Sequence, residues 1–305
     1  MQQLIEVARQ LLTDKVVDVV IGYEQGAFGV RPAFISDVAS CAQLIFDNRC
    51  VHNLVSYLSP RRTHLAHFQR KAIVAKGCDI RAIAALVREG QLKREQIIII
   101  APRCGGVGRN ASLNKPQQLE VNTVAPRCAN CTVREPRAAS AKDTAEHKEI
   151  LADYVVGEVQ APPPIAVDRD ARINALDAMS IQERWQYWQG ELERCIRCHA
   201  CREVCPTCFC VQCLADKTQP QWIESSPHAR GNLMWQFNRM MHQAGRCVDC
   251  GECERACPVG IPLSLLVGKM AKVVKERFDY QVSSDPTVPT PIGTYNQEDK
   301  QEFIL

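Results

Sequence analysis

The run ERCIRCHACREVCPTCFCVQC, Glu193 to Cys213, carries cysteine at 195, 198, 201, 205, 208, 210 and 213. Thiols this closely spaced need a shared partner. The whole chain holds 17 cysteines, an odd number, in 305 residues. Its start, MQQLIEVARQLL, reads as an amphipathic helix with an acid in it, not as an export signal. A reducing, cytoplasmic setting is therefore expected, where a disulfide scaffold is a poor explanation. Clustered spacing also differs from that of scattered, buried structural cysteines. Metal is the reading that remains.

The pattern is specific. Cys195-x2-Cys198-x2-Cys201-x3-Cys205-Pro206 is a bacterial ferredoxin run, and Cys247-x2-Cys250-x2-Cys253-x3-Cys257-Pro258 repeats it. In two-cluster ferredoxins, three cysteines of each run hold one 4Fe-4S cubane and the fourth reaches the other cubane. Two residues between ligands let a tight loop wrap three corners of a cubane and aim amide N–H groups at its sulfides. The expected sets are Cys195, Cys198, Cys201 and Cys257 for one cluster, and Cys247, Cys250, Cys253 and Cys205 for the other. Structural zinc uses paired Cys-x2-Cys units, four thiolates per ion, and fits two complete runs poorly. The long helical insert between the runs points to a helical two-cluster ferredoxin domain.

Upstream the grammar changes. Residues 1–160 alternate helix-like and strand-like segments, which predicts an α/β domain with a mostly parallel sheet. VVDVVIGY, KAIVAKG and EQIIIIAP read as strands; MQQLIEVARQLLTD, VHNLVSYL and CDIRAIAALVREG read as helices. A proline-rich linker is expected over 161–180, the ferredoxin domain over 181–280 and an extended tail over 281–305. INALDAMSIQERWQYWQGELERC, ARGNLMWQFNRMMHQAGRC and IPLSLLVGKMAKVVKERF read as helices.

In the α/β part, Cys78 and Cys104 each follow a predicted strand, and Cys128-x2-Cys131 lies in a later loop. Carboxyl ends of parallel strands line one edge, so the first two could lie together and the pair could close over them. Cys78 would also open a helix, whose positive end favours an anionic group. The alternative is four unrelated buried cysteines.

KGCD, APRCGG, CANC and ILADYVVGE occur in that order. They resemble the beta subunit of deazaflavin-dependent hydrogenases and formate dehydrogenases and its bacterial relatives. Members joined to a dicluster ferredoxin domain also resemble CIRCHACREVCPTCFCVQC and GRCVDCGECERACPVGIPL. The resemblance covers most of the chain. It implies that Cys78, Cys104, Cys128 and Cys131 bind a third 4Fe-4S cluster. It further implies an iron-sulfur electron-transfer subunit of an anaerobic redox complex, with hydrogenase, formate dehydrogenase or heterodisulfide-reductase-like flavoprotein partners. One departure matters. The family's flavin subunits run on for a long stretch beyond the Ala-Asp segment, whereas here the ferredoxin part follows almost at once. The resemblance admits FAD, but no Gly-x-Gly-x-x-Gly phosphate loop supports it.

The rest narrows the function. A net charge of +3 gives no argument for nucleic acid or a membrane surface. No apolar run reaches the length of a membrane span. No nucleophile set or paired-carboxylate site stands out, so whether the chain is itself an enzyme is left open. The competing class is a self-contained flavin and iron-sulfur oxidoreductase acting on a small carrier. Arg61, Arg62 and Arg70 read as a solvated face. His199 lies inside a ligand loop, but the ligand set is complete without it. Cys208, Cys210 and Cys213 are surplus. They either pack around the clusters, or bind another metal with Cys41 or Cys50, or replace Cys205.

Overall fold

The computed structural model describes residues 1–294 and 297, apart from 60, 63–64, 110–113, 117, 129–130, 132, 139–148, 165–168 and 225. Helix α1 (Gln2–Thr13) buries Leu4, Ala8, Leu11 and Leu12, an i, i+4, i+7, i+8 stripe, against the sheet. Strand β1 (Val19–Gly26) is almost wholly buried and turns at Gly26–Gly29 into antiparallel β2 (Gly29–Ile35). Then come β3 (Lys71–Val74), helix α2 (Gly77–Arg88), β4 (Ile97–Pro102) and short β5 (Tyr154–Val156). The sheet order is β2-β1-β3-β4-β5, and every pairing except β1–β2 is parallel. The sheet is thus mixed but mostly parallel, as expected. Its centre is the apolar stack of Ile21, Ile73, Ile99 and Ile100, each at 0% exposure.

Three segments differ from the sequence expectation. GVRPAFI forms β2 although Pro32 interrupts it, because β2 is an edge strand and the missing N–H costs no interior hydrogen bond. VHNLVSYL is not an α-helix; only Leu54–Leu58 turns, as a 3₁₀ helix that the Asn53 side chain caps at Val55 N. The long segment INALDAMSIQERWQYWQGELERC breaks into α3 (Arg169–Asp177) and α4 (Ile181–Glu193). Ser180 and Glu183 form a reciprocal capping box there: Glu183 N donates to Ser180 Oγ at 3.2 Å and Ser180 N to Glu183 Oε2 at 2.9 Å. Helix α3 lies within the 161–180 span and packs Ile173 and Leu176 on Leu265.

The cysteine-rich part adds α5 (Ala200–Glu203), α6 (Ala229–His242), α7 (Glu252–Arg255) and α8 (Leu263–Phe278). It is stitched to the α/β part by buried polar contacts. Arg61 donates to Arg202 O at 3.2 Å and Arg62 to Glu203 O at 2.6 Å. These two arginines clamp α5 instead of facing solvent; Arg70 pairs with Asp18 nearer the surface. The 281–305 span begins by folding back on the α/β part. Ile150 N donates to Ser284 O at 2.8 Å, and Arg88 donates to Asp285 O at 2.7 Å. The closing EFIL lies outside the described residues. Among the described residues no helix is long and apolar enough to cross a membrane.

Candidate metal centres

The two ferredoxin runs share one backbone design. Each places left-handed residues two and four positions after its first cysteine: Arg197 (φ 57°) and His199 (φ 59°) in the first, Asp249 (φ 58°) and Gly251 (φ 67°) in the second. A short helix follows each, α5 and α7. Three of the four positions are not glycine, so the conformation costs of order 1 kcal/mol at each and has to be repaid by what the loop holds. The reward is direction. In such a turn backbone N–H groups point into the loop, as in Asp249 N to Cys247 Sγ at 3.4 Å.

Cys205, Cys247, Cys250 and Cys253 line one small pocket, together with Arg239 and Gln243. Cys205 comes from the other run and is brought beside the other three. Cys195, Cys198 and Cys201 are electrostatic neighbours. Cys195 and Cys257 pack against the apolar cluster that contains Cys201. Arg194 donates to Val259 O at 2.7 Å and holds the Cys257 segment beside Cys195. Sulfur-directed donors recur: Ile261 N to Cys257 Sγ at 3.4 Å and Gln236 Nε2 to Cys195 Sγ at 3.7 Å. Burial pushes the Cys253 thiol up to about 12, with Arg239 opposing. Burial likewise raises the Cys247 and Cys250 thiols, whereas a hydrogen bond from Cys208 lowers Cys205; loading a metal would displace the protons that the raised thiols hold. His199 packs on an aromatic ring. Its ring meets Trp235 edge-on at 4.8 Å, and burial holds its pKa below the usual value.

The N-terminal four also share a pocket. Cys78, at the start of α2, and Cys104, just past β4, line it with Cys128 and Cys131. Parallel pairing of β3 and β4 puts the first two at one sheet edge. The loop bearing the other two is drawn over them by Cys104 N donating to Arg134 O at 3.3 Å. Val107 N donates to Cys128 Sγ at 3.4 Å. Gly77 makes the closure possible: a Cβ there would lie 1.7 Å from Val133 O. Sequence reasoning passed over this glycine, whose only signal was its place between a strand and a cysteine.

Cations surround this pocket. Lys76, at 2% exposure, donates to Tyr23 Oη at 2.5 Å and His52 O at 2.8 Å, and pairs with Asp79 at 2.8 Å. Arg127 donates to Val51 O at 2.6 Å, to Cys250 O, and to Glu252 Oε1 at 3.1 Å. It thereby ties the N-terminal pocket to α7. Burial pushes the Cys104 thiol up to about 11. Four sulfurs, that of Cys128 buried and the other three half-buried, ringed by lysine and arginine suit an anionic centre. Among the described residues no three His, Cys, Asp or Glu side chains converge as one shared ion requires. A cubane, whose ligands bind different iron atoms, holds its thiolates further apart.

A family model described as "4Fe-4S dicluster domain" matches residues 191–261. The chain is 23% identical over 358 aligned residues to the F420-dependent formate dehydrogenase subunit beta of Methanocaldococcus jannaschii, spanning 92% of this chain and 91% of that one. It is 24% identical over 360 residues to F420-dependent formate dehydrogenase 1 subunit beta of Methanococcus maripaludis, spanning 93% and 91%. A shorter likeness, 30% over 105 residues, covers 28% of this chain and 24% of the polyferredoxin protein MvhB of Methanothermus fervidus. The longer alignments exceed the 305 residues of this chain, so the relatives insert residues that it lacks. These homologues, with the dicluster domain, support an iron-sulfur electron-transfer subunit of a redox complex.

Proposed function

We propose that the chain relays electrons through three 4Fe-4S clusters. One is held by Cys78, Cys104, Cys128 and Cys131, one by Cys205, Cys247, Cys250 and Cys253, and one by Cys195, Cys198, Cys201 and Cys257. The observation that carries this reading is a shared wall. Val248 and Asp249 line both the N-terminal four-cysteine pocket and the Cys205/Cys247/Cys250/Cys253 pocket. An electron leaving the first site therefore meets only one loop before the second. Each bound cluster would supply one-electron transfer. The protein's part is to fix the sulfurs, aim N–H donors at them and balance their charge with Lys76, Arg127 and Arg239.

The chain would work inside a complex, with a flavoprotein subunit at one end of the relay. The test of the N-terminal site is the double variant C128S/C131S, purified anaerobically. It should lose about four iron and four sulfide per chain while the ferredoxin electron-spin signals persist. Unchanged iron would overturn the assignment.

A second reading, a flavin-bearing oxidoreductase, has one observation in its favour. A groove of about 810 Å³ beside α1 is bordered by Arg103, Gly105 and Gly106, and Gly106 also lines the N-terminal cysteine pocket. A volume of this order fits an organic cofactor. Flavin released from purified protein by denaturation, at one per chain, would favour this reading; none would dismiss it.

A further inference from the structure

Of the surplus cysteines, Cys213 packs against the apolar cluster that contains Trp235. Cys210 is exposed, and Cys208 and Cys213 are half-buried. Extended backbone would send Cys208 and Cys210 to opposite sides, yet both line one cavity with Cys213 and His242. Cys41 and Cys50 take no part. Both sit at 0% exposure in the sheet core, away from this cavity.

The sulfurs already receive donors of the kind seen at the other sites. Gln243 Nε2 donates to Cys208 Sγ at 3.3 Å, and the Arg202 side chain donates to Cys213. Phe209, under the Arg246 guanidinium at 4.9 Å, holds the loop between the first two cysteines.

Charge says what kind of centre fits. Arg61, Arg202, Arg239 and Arg246 all line the cavity. Arg61, Arg202 and Arg246 have carboxylate partners. Arg239 has no carboxylate partner among the described residues. It is 4% exposed, donates to Cys201 O at 3.1 Å, and its Nε meets no acceptor. It also hydrogen-bonds the Cys253 thiol, so its charge serves the ferredoxin pocket; with four arginines on its wall, this cavity still suits an anionic occupant. A lone dication would be repelled here, and no three donors converge on one point. An iron-sulfur cluster with thiolate ligands is a net anion and spreads its ligands over several atoms.

We propose that Cys208, Cys210 and Cys213, with His242 as fourth ligand, hold an additional 4Fe-4S cluster at the molecular surface. Loading displaces the three thiol protons and uses His242 as neutral imidazole. Exposure of Cys210 and His242 puts this site where a partner's electron can enter or leave. Its link inward is short, because Arg239 and Gln243 line both this cavity and the pocket of Cys205, Cys247, Cys250 and Cys253. The site adjoins the relay directly, since Cys208 hydrogen-bonds Cys205, and its role as an entry point rests on that relay.

The test compares wild type with C210S/C213S after anaerobic reconstitution with ferrous iron and sulfide. Both altered positions lie outside the twelve relay ligands and one is on the surface, so the fold should survive. The double variant should lose about four iron and four sulfide, with the dicluster electron-spin signals intact. H242C should keep full iron and shift one reduction potential downward, because imidazole in place of thiolate raises a cluster's potential. Unchanged iron in C210S/C213S, or loss of one zinc instead, overturns the proposal. Unchanged potentials in H242C overturn His242 as ligand. Loss of iron in C128S/C131S but not in C210S/C213S would leave the relay standing and remove this site alone.

Discussion

Replacing Gly77 by alanine should cost the N-terminal cluster, although it adds one methyl group and touches no ligand. On propensity alone, alanine in a helix is better than glycine by about 0.5–1 kcal/mol. The tertiary setting reverses that. The new Cβ would lie 1.7 Å from Val133 O and 2.8 Å from Val133 C, both backbone atoms that cannot rotate aside. Either the loop or the start of α2 has to recede by roughly 1.5 Å to reach van der Waals contact. Metal–ligand distances tolerate only about 0.2 Å. Cys131 is two residues from Val133 on one side of the clash, and Cys78 adjoins Gly77 on the other. The displacement thus falls on ligands from both walls. Overpacking of this kind typically costs about 1–3 kcal/mol in stability as well. The assay is iron and sulfide per chain after anaerobic reconstitution, with G190A as control. Gly190, inside α4, has nothing within 4 Å of its would-be Cβ, so G190A should keep every cluster and gain up to about 1 kcal/mol. G77A should lose about four iron. Full iron and unaltered electron-spin signals in G77A would refute the account of how the loop closes over Cys78.

Further outcomes follow from the buried charges. R127M should destabilise the chain by about 3 kcal/mol in urea unfolding, the low end for a broken buried pair because Arg255 still pairs with Glu252 at 2.8 Å; a loss below about 1 kcal/mol would mean that Arg127 does not tie the two parts together. R239M should move a ferredoxin-domain potential downward by tens of millivolts, since a positive charge favours the reduced, more negative cluster; redox titration that gives unchanged potentials would remove Arg239 as a tuning group. Burial, then the Arg255 guanidinium, holds the His52 pKa down at about 4. Below pH ~6.5 the unfolded chain takes up a proton that the folded one refuses, so up to about 3 kcal/mol of stability drains away as pH falls from ~6.5 to ~4. H52Q should flatten that part of the stability–pH curve; an identical slope in H52Q and wild type would assign it to other groups.

The ferredoxin runs were legible in the sequence because their ligand geometry is local. Cys-x2-Cys-x2-Cys fixes three sulfurs within one turn of chain, and the same left-handed positions recur in both runs without help from elsewhere. The core strands were legible for the same reason: Val19–Ile21 and Ile97–Ile100 are β-branched runs that the sheet buries almost throughout. Edge strand β2 was not, since Pro32 forbids a central strand and only the sheet order reveals an edge. Arg61 and Arg62 read as solvated because nothing near them in sequence needs them. Their partners, Arg202 O and Glu203 O, lie 141 residues away. Gly77 read only as the end of the strand segment KAIVAKG; its role depends on Val133, which lies against it from 56 residues away. The grouping of Cys208, Cys210 and Cys213 with His242 and Arg61, and the wall that Val248 and Asp249 share between two pockets, belong to the same kind. Spacing along the chain sets which atoms one loop can present; which loops face each other is decided by the packing of the sheet against the helices, and no local pattern encodes it.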